Sequence, residues 1–314
     1  MKLTWQDLII SSVLIFLITL PLFVNSQEYG KTAEKYDFWK IIEGKRLFYP
    51  VIKDGKVSLE QGARTAYSVL IDPTGKDDPK VLEDMNADTR MPMASITKLM
   101  TAVVVLDSYD LEDEVEIDAS DLSVDGNMGA LTSGQILSIK DLLAIMLIDS
   151  NNGAAEALAR KMGRGSFIRD MNRKAALLGM DNTEYLNPSG LDIDGVAKTN
   201  TTSAKDLSHL VSHIMVRYPL IPEILSKKTY VVTSKNGVVH RLENTNEMLG
   251  EDKRILWGKT GFTDKADGCL VLVSKSDDFS FSRKRYIITV VLGSEDRFED
   301  MRKVREWQDN QFIW

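Results

Sequence analysis

One cysteine in 314 residues rules out any disulfide within the chain. That residue, Cys269, sits in the apolar run "GCLVLVS", where a buried, inert thiol is expected rather than a reactive one. Basic charge is also short: 39 lysines and arginines against 46 aspartates and glutamates leave a net charge of −7 and a pI near 5.2. Without a positive field to gather phosphates, a nucleic-acid partner is not expected. Histidines number three. His209 and His213, in "SHLVSH", have the i, i+4 spacing of two metal ligands on one helical face. No acidic residue follows the first of them, and Leu207, Leu210, Val211 and Ile214 mark the buried face, which leaves both histidines facing solvent. His240 is the remaining one, and no metal or other cofactor is expected. The chain also lacks a Gly-x-Ser-x-Gly nucleophile turn, internal repeats and low-complexity tracts.

What is present is an ordinary globular balance, 43% hydrophobic and 27% charged, long enough for one large domain or two lobes sharing a core. The N-terminus departs from that balance. "LIISSVLIFLITLPLFV", from Leu8 to Val24, carries no charge over roughly 17 residues, between a signal-peptide core and a full bilayer span. Residues 1–26 therefore read as a signal or an N-terminal membrane anchor, with the anchor preferred. Either way the rest is expected to work outside the cytoplasm, at the outer face of the membrane or in the periplasm. Residues 27–61 are polar apart from "FWKII" and "RLFYPVI" and read as a spacer or docked extension.

From "TAYSVLIDPTGK" onward the pattern sharpens. Tyr67, Val69 and Ile71 alternate as in a strand and stop at Pro-Thr-Gly, and "PKVLEDMN" returns as the partner. Helical periodicity then runs through the Ser95 segment, "SIKDLLAIMLIDS", "GAAEALARKMG", "FIRDMNRKAALLG" and "TSAKDLSHLVSHIMVRYP". Strands resume beyond Pro222: a hairpin about Asn236-Gly237, then "ILWGKTG", "CLVLVSKS" and "RYIITVVLGS", before a last amphipathic helix. This order predicts an α/β chain of the α+β kind over residues 62–314. An antiparallel sheet flanked by helices would be completed late, with an all-helical lobe from about 95 to 218 inserted and the active site between the two.

Three short segments carry chemistry. In "MPMASITKLMTA", Ser95 and Lys98 are three apart, neighbours on a helical surface. Burial and a helix N-terminus would both lower the lysine's hold on its proton, so that a neutral Lys98 takes the proton of Ser95. The plain alternative is a capping serine and a solvated lysine. In "IDSNNGAAEALA", Ser150, Asn151 and Asn152 stand at a joint between helices, where they either cap or project into a cleft. In "WGKTGFTDK", Lys259, Thr260 and Gly261 lie toward the end of a strand. Glycine there admits a close backbone approach, while the ammonium and hydroxyl suit a carboxylate.

Singly these are weak signals. Together, Ser-x-x-Lys, Ser-x-Asn and Lys-Thr-Gly in that order are the set found in penicillin-binding proteins and serine β-lactamases. The chain closely resembles the low-molecular-mass penicillin-binding proteins, the serine-type D-alanyl-D-alanine carboxypeptidases. "GMDNTEYLNPSGLD", "TSAKDL" and "GKTGFTDKADG" add to the likeness, which runs from about Ala66 to the C-terminus. The resemblance implies a β-lactamase/transpeptidase-like fold and removal of the terminal D-alanine from peptidoglycan stem pentapeptides. It assigns Ser95 as nucleophile, Lys98 as base, and Ser150 as relay to the departing nitrogen. Asn152, Lys259, Thr260 and Gly261 would bind substrate, Asn152 also steadying Lys98, and the backbone N–H groups of Ser95 and Phe262 would form the oxyanion hole. β-Lactams would be covalent inhibitors.

The sequence departs from the family pattern in places. Phe262 stands where histidine is frequent, which should alter the cleft wall and spare a main-chain oxyanion donor. Gly153 stands where an acidic residue often follows Ser-x-Asn. No C-terminal β-domain is expected after "WQDNQFIW", so membrane attachment is expected from the N-terminal segment. Among rival readings, a class A β-lactamase needs Glu-x-x-Leu-Asn, and Glu184 in "TEYLNPSGLD" is one residue too close. A D,D-endopeptidase of the same fold remains an alternative. A non-catalytic wall-binding module would be expected to have lost Ser95 or Lys98.

Overall fold

The structure is a computed structural model and describes residues 50–52, 62–75, 77–124, 131–192, 198–276 and 284–313. The apolar segment Leu8–Val24 and most of residues 27–61 lie outside the described residues. Of the expected extension, β1 (Val51–Ile52) is described, paired with the C-terminal residues. β2 (Thr65–Ile71) and β3 (Lys80–Met85) form the hairpin that Pro-Thr-Gly signals. β4 (Met91–Pro92) leads through a 3-10 turn at Ala94–Thr97 into α1 (Lys98–Ser108). β5 (Glu114–Glu116), β6 (Ile136–Ser138), α2 (Ile139–Ile148), α3 (Asn152–Arg160) and α4 (Arg164–Leu177) follow. Next come β7 (Thr201–Thr202), α5 (Ala204–Arg217), α6 (Leu220–Leu225), and the hairpin of β8 (Thr229–Thr233) with β9 (Val239–Glu243). The chain finishes with β10 (Ile255–Thr263), β11 (Asp267–Lys275), β12 (Tyr286–Ser294), α7 (Arg297–Gln311) and β13 (Phe312–Ile313).

Five strands form an antiparallel sheet in the order β10-β11-β12-β2-β3. The late strands close on the first hairpin through β12 and β2, as the strand–helix–strand sequence implies. Side-chain alternation divides the apolar residues between two cores. Val69, Val271, Val273, Ile288 and Val290 meet Leu207, Leu210 and Val211 of α5 on one face. Ala66, Leu270, Leu272 and Val291 meet Phe298, Met301 and Val304 of α7 on the other. Each such aliphatic or aromatic side chain contributes about 1.5–3 kcal/mol on burial. Beyond Asp141, α2 is apolar on every face and is correspondingly enclosed, and the Ser138 hydroxyl caps it by accepting from Asp141 N.

Two observations modify the expected all-helical insertion. The short ribbon β5–β6 lies within it, since "EVE" and "ILS" are too brief for any periodicity to register. Its last helix, α5, lies against β2 and β12 of the sheet. The stripe at Leu207, Leu210, Val211 and Ile214 reveals an amphipathic helix but not what covers it. Among the described residues no helix is long and apolar enough to cross a membrane.

Candidate active site

Ser95 lies in the 3-10 turn, and Lys98 is the first residue of α1. The two are therefore neighbours across a turn-to-helix joint rather than on one α-helical face, and Ser95 is not the cap. Ala94 precedes them at φ 46°, a left-handed conformation costly for alanine. The loop beneath explains how it is held. Gly190, at φ +86°, lies so close that an added Cβ would be 1.9 Å from the Ala94 carbonyl oxygen. Asn187 Oδ1 accepts from Gly190 N at 2.6 Å, and Thr101 Oγ1 donates to Pro188 O at 2.6 Å. Asn200 Nδ2 donates to Thr97 Oγ1 at 3.0 Å and to Asn187 O at 2.9 Å. The "YLNPSGLD" segment is thus the bed under the Ser95 turn.

Lys98 is completely buried. Its Nζ lies 2.6 Å from Ser95 Oγ, 2.6 Å from Asn152 Oδ1 and 2.8 Å from the Ser189 carbonyl oxygen. Burial, and then the charge of Lys259, push its affinity for a proton well below that of an ordinary lysine, while Glu156 opposes the shift. Glu156 is itself buried and paired with Arg164 at 2.9 Å. It brings an acidic group to the helix where Gly153 lacks one.

Ser150 joins α2 to α3 at φ 59°, a second non-glycine residue in the left-handed region. Asn151 caps α3, its Oδ1 accepting from Ala154 N, so neither Ser150 nor Asn152 is needed for capping. Ser150 Oγ accepts from Lys259 Nζ at 2.9 Å. Lys259 also donates to the Thr260 carbonyl at 3.0 Å.

Lys259, Thr260 and Gly261 stand in β10, the edge strand of the sheet, with Phe262 and Thr263 beyond them. Register sets their directions. Lys259 and Gly261 lie opposite Val271 and Cys269, on the α5 face; Thr260 and Phe262 lie opposite Leu270 and Gly268, on the α7 face. At Gly261 an added Cβ would be 3.1 Å from Ser95 N and 3.0 Å from Met93 O, so a side chain there would press on the Ser95 backbone. Burial and then the nearby charge of Arg297 lower Lys259 to about 7. Arg297 opens α7, half-buried, with its Nε enclosed and without a hydrogen-bond partner. Phe262 is 61% exposed on the strand's end.

All three predicted segments therefore meet, joined at Lys98–Asn152 and Lys259–Ser150. Sequence reasoning missed the Ser189 carbonyl, Gly190, Glu156 and Arg297. Asn-Pro-Ser-Gly was a legible turn signal for the first two; a lone glutamate and a lone arginine give none. Among the other candidates, Cys269 stands across the ladder from Gly261. Cys269 is enclosed, and burial pushes its thiol up to about 12. Glu184 pairs with Arg90 at 2.9 Å on the surface. His209 is exposed, and His213 packs edge-on against Tyr218. Among the described residues no group of His, Cys, Asp and Glu is arranged to hold a metal ion.

Known proteins resemble this chain in sequence and fold. Residues 58–296 match the family model described as D-alanyl-D-alanine carboxypeptidase, peptidase S11. The D-alanyl-D-alanine endopeptidase of Pseudomonas aeruginosa is 34% identical over 241 residues, covering 74% of each chain. D-alanyl-D-alanine carboxypeptidase DacF of Bacillus subtilis is 27% identical over 267 residues, 83% of this chain and 65% of that one. Penicillin-binding protein D2 of Listeria monocytogenes, solved in an ampicillin-bound form, superposes with a TM-score of 0.66 at 30% identity, over 81% of this chain and 100% of that one. The chain belongs to the D-alanyl-D-alanine carboxypeptidase family, a group of penicillin-binding serine peptidases.

Proposed function

We propose that this enzyme removes the terminal D-alanine of peptidoglycan stem pentapeptides through an acyl-enzyme on Ser95, with Lys98 as the base. One observation carries the base assignment. A neutral lysine has two N–H donors and one lone pair. Asn152 Oδ1 and the Ser189 carbonyl can only accept, so they take the two donors. The lone pair is left for the third neighbour, Ser95 Oγ, 2.6 Å away and the only one of the three with a proton to give. Burial favours that uncharged amine.

The steps follow. Ser95 Oγ attacks the carbonyl carbon of the penultimate D-alanine as its proton passes to Lys98. The N–H groups of Ser95 and Phe262 receive the oxyanion. The C–N bond breaks as Ser150 relays to the departing nitrogen the proton that Lys98 took from Ser95, so that Lys98 is again neutral and Lys259 keeps its charge. Water then attacks the ester carbonyl and gives a proton to Lys98, which returns it to Ser95 Oγ as the C–O bond breaks. Lys259 and Thr260, with Arg297 as a second cation, hold the substrate's terminal carboxylate. A half-buried guanidinium with an unmet Nε, beside a lysine whose charge burial disfavours, suits an incoming anion.

β-Lactams, which carry a carboxylate beside a strained amide, acylate Ser95 and remain there. The enzyme works on the outer side of the cytoplasmic membrane, held there by its N-terminal apolar segment. Cleavage within a cross-link starts from the same acyl-enzyme, and the P. aeruginosa relative bears the endopeptidase name. Release of D-alanine from a synthetic peptide ending in D-Ala-D-Ala tests the proposal. It should proceed unchanged in chelator and vanish in Ser95→Ala, with the melting temperature kept. D-alanine release by a folded Ser95→Ala enzyme would refute the proposal.

A further inference from the structure

Behind the substrate strand stands a residue with no role so far. Thr245 lies between β9 and β10, and its Oγ1 is 2.5 Å from Thr260 Oγ1. Its backbone N–H donates at 3.3 Å to the carbonyl of Ile148, the last residue of α2 and two residues before Ser150. Asp149 Oδ1 accepts from Glu243 N at 2.7 Å, tying the same turn to the end of β9. Thr245 is therefore fixed from the Ser150 side while its hydroxyl reaches the Lys-Thr-Gly strand. It closes a circuit from Ser150 through Lys259, Thr260 and Thr245 back to Ile148.

Hydroxyl arithmetic gives the circuit a consequence. Each hydroxyl has one proton and two lone pairs, so a bond between two hydroxyls uses one proton and leaves one. If Thr260 donates to Thr245, its proton is spent, and only lone pairs face the cleft, where they repel a carboxylate. If Thr245 donates, the Thr260 proton is free for the anion. We infer that Thr245 is a positioning residue that donates to Thr260 Oγ1 and thereby commits the Thr260 proton to the substrate carboxylate. The inference rests on the assignment of Thr260 to carboxylate binding made above. Hydrogen bonds in such a chain polarise one another, and the bond to the charged acceptor is the strongest member. The carboxylate is held alike before and during attack on the carbonyl, so the effect belongs to KM rather than kcat.

A double-mutant cycle on D-alanine release tests this, with melting temperatures recorded for every variant. Thr245→Val should raise KM about five- to tenfold with kcat within about twofold, the scale of one hydrogen bond between neutral hydroxyls. Thr245→Ser keeps the donor and should stay within about twofold of the parent in both constants. In a Thr260→Val background, Thr245→Val should cause no further change. Equal effects of Thr245→Val in both backgrounds, or a Thr245→Ser enzyme as impaired as Thr245→Val, would overturn the inference. An unchanged KM in Thr260→Val would instead remove the carboxylate assignment, and this inference with it.

Discussion

One wall of the cleft presents its chemistry from a regular strand; the other presents it from two breaks in helical structure. On β10, ladder register alone turns Lys259 and Gly261 to one face and Thr260 and Phe262 to the other. Opposite, Ser95 follows Ala94 at φ 46° and Ser150 sits at φ 59°, both in backbone that non-glycine residues seldom adopt. The strand needs only its neighbours to keep its shape. The helical wall needs a bed of buried polar side chains, Asn187, Asn200 and Thr97, and a glycine, Gly190, pressed against Ala94. On the proposed mechanism, the groups that exchange protons or form bonds stand on the strained wall, and those that hold the substrate stand on the regular one. Strain at such sites costs about 1–3 kcal/mol per residue and persists only where surroundings over-determine it.

Substitutions can sharpen that contrast. Lys98→Ala should slow acylation by penicillin by about 10³-fold, the usual scale of a lost general base, with the melting temperature retained. Near-normal labelling would mean that the proton goes elsewhere. Gly190→Ala should cost more than about 4 kcal/mol in a urea titration, because strain at positive φ is joined by a collision with backbone. Gly237→Ala at the β8–β9 turn has a similar φ, +85°, but nothing within 4 Å of the added Cβ, and should cost only about 1–2 kcal/mol. Equal losses would show that crowding under Ala94 is not what holds the serine turn.

The strand wall should respond to pH. Lys259 must be charged to bind a carboxylate, and in the free enzyme it loses its proton as the pH rises through about 7. kcat/KM for D-alanine release should therefore fall above that pH. Lys98 must be neutral, and its lowered affinity for a proton puts the acid limb of the profile below the ordinary lysine range. For stability the sign is opposite. The unfolded chain keeps the Lys259 proton up to about 10.5 while the folded chain releases it near 7, so stability from this group grows with pH across that window. Lys259→Met should flatten that slope in melting temperature between pH 7 and 10. The smallest effect is Ala94→Gly, which relieves the left-handed backbone and should stabilise by about 0.5–1 kcal/mol, or less if glycine gains more freedom unfolded, while slowing acylation.

The same contrast explains what was legible in the sequence. Alternating apolar residues located β2, short apolar runs located β11 and β12, and the three motifs located Ser95, Ser150 and Lys259, because each is a side-chain pattern. The Ser189 carbonyl beside Lys98 is a backbone atom: Asn-Pro-Ser-Gly signals a turn there, but residue identity does not say that its carbonyl faces the lysine. Arg297 opens "RFEDMRKV" like any charge on a surface helix, and only the register beside Gly268 shows it next to the substrate strand. The β5–β6 ribbon was too short to register, and covering of the sheet by α5 depends on tertiary packing that amphipathicity alone does not specify.

Mass spectrometry of the intact protein after brief exposure to benzylpenicillin bears most directly on the covalent step. The account predicts one adduct per chain, of the mass of the antibiotic, recovered on the peptide containing Ser95 and missing from Ser95→Ala. No adduct on the folded wild-type protein, or an adduct mapped to any other residue, would contradict it.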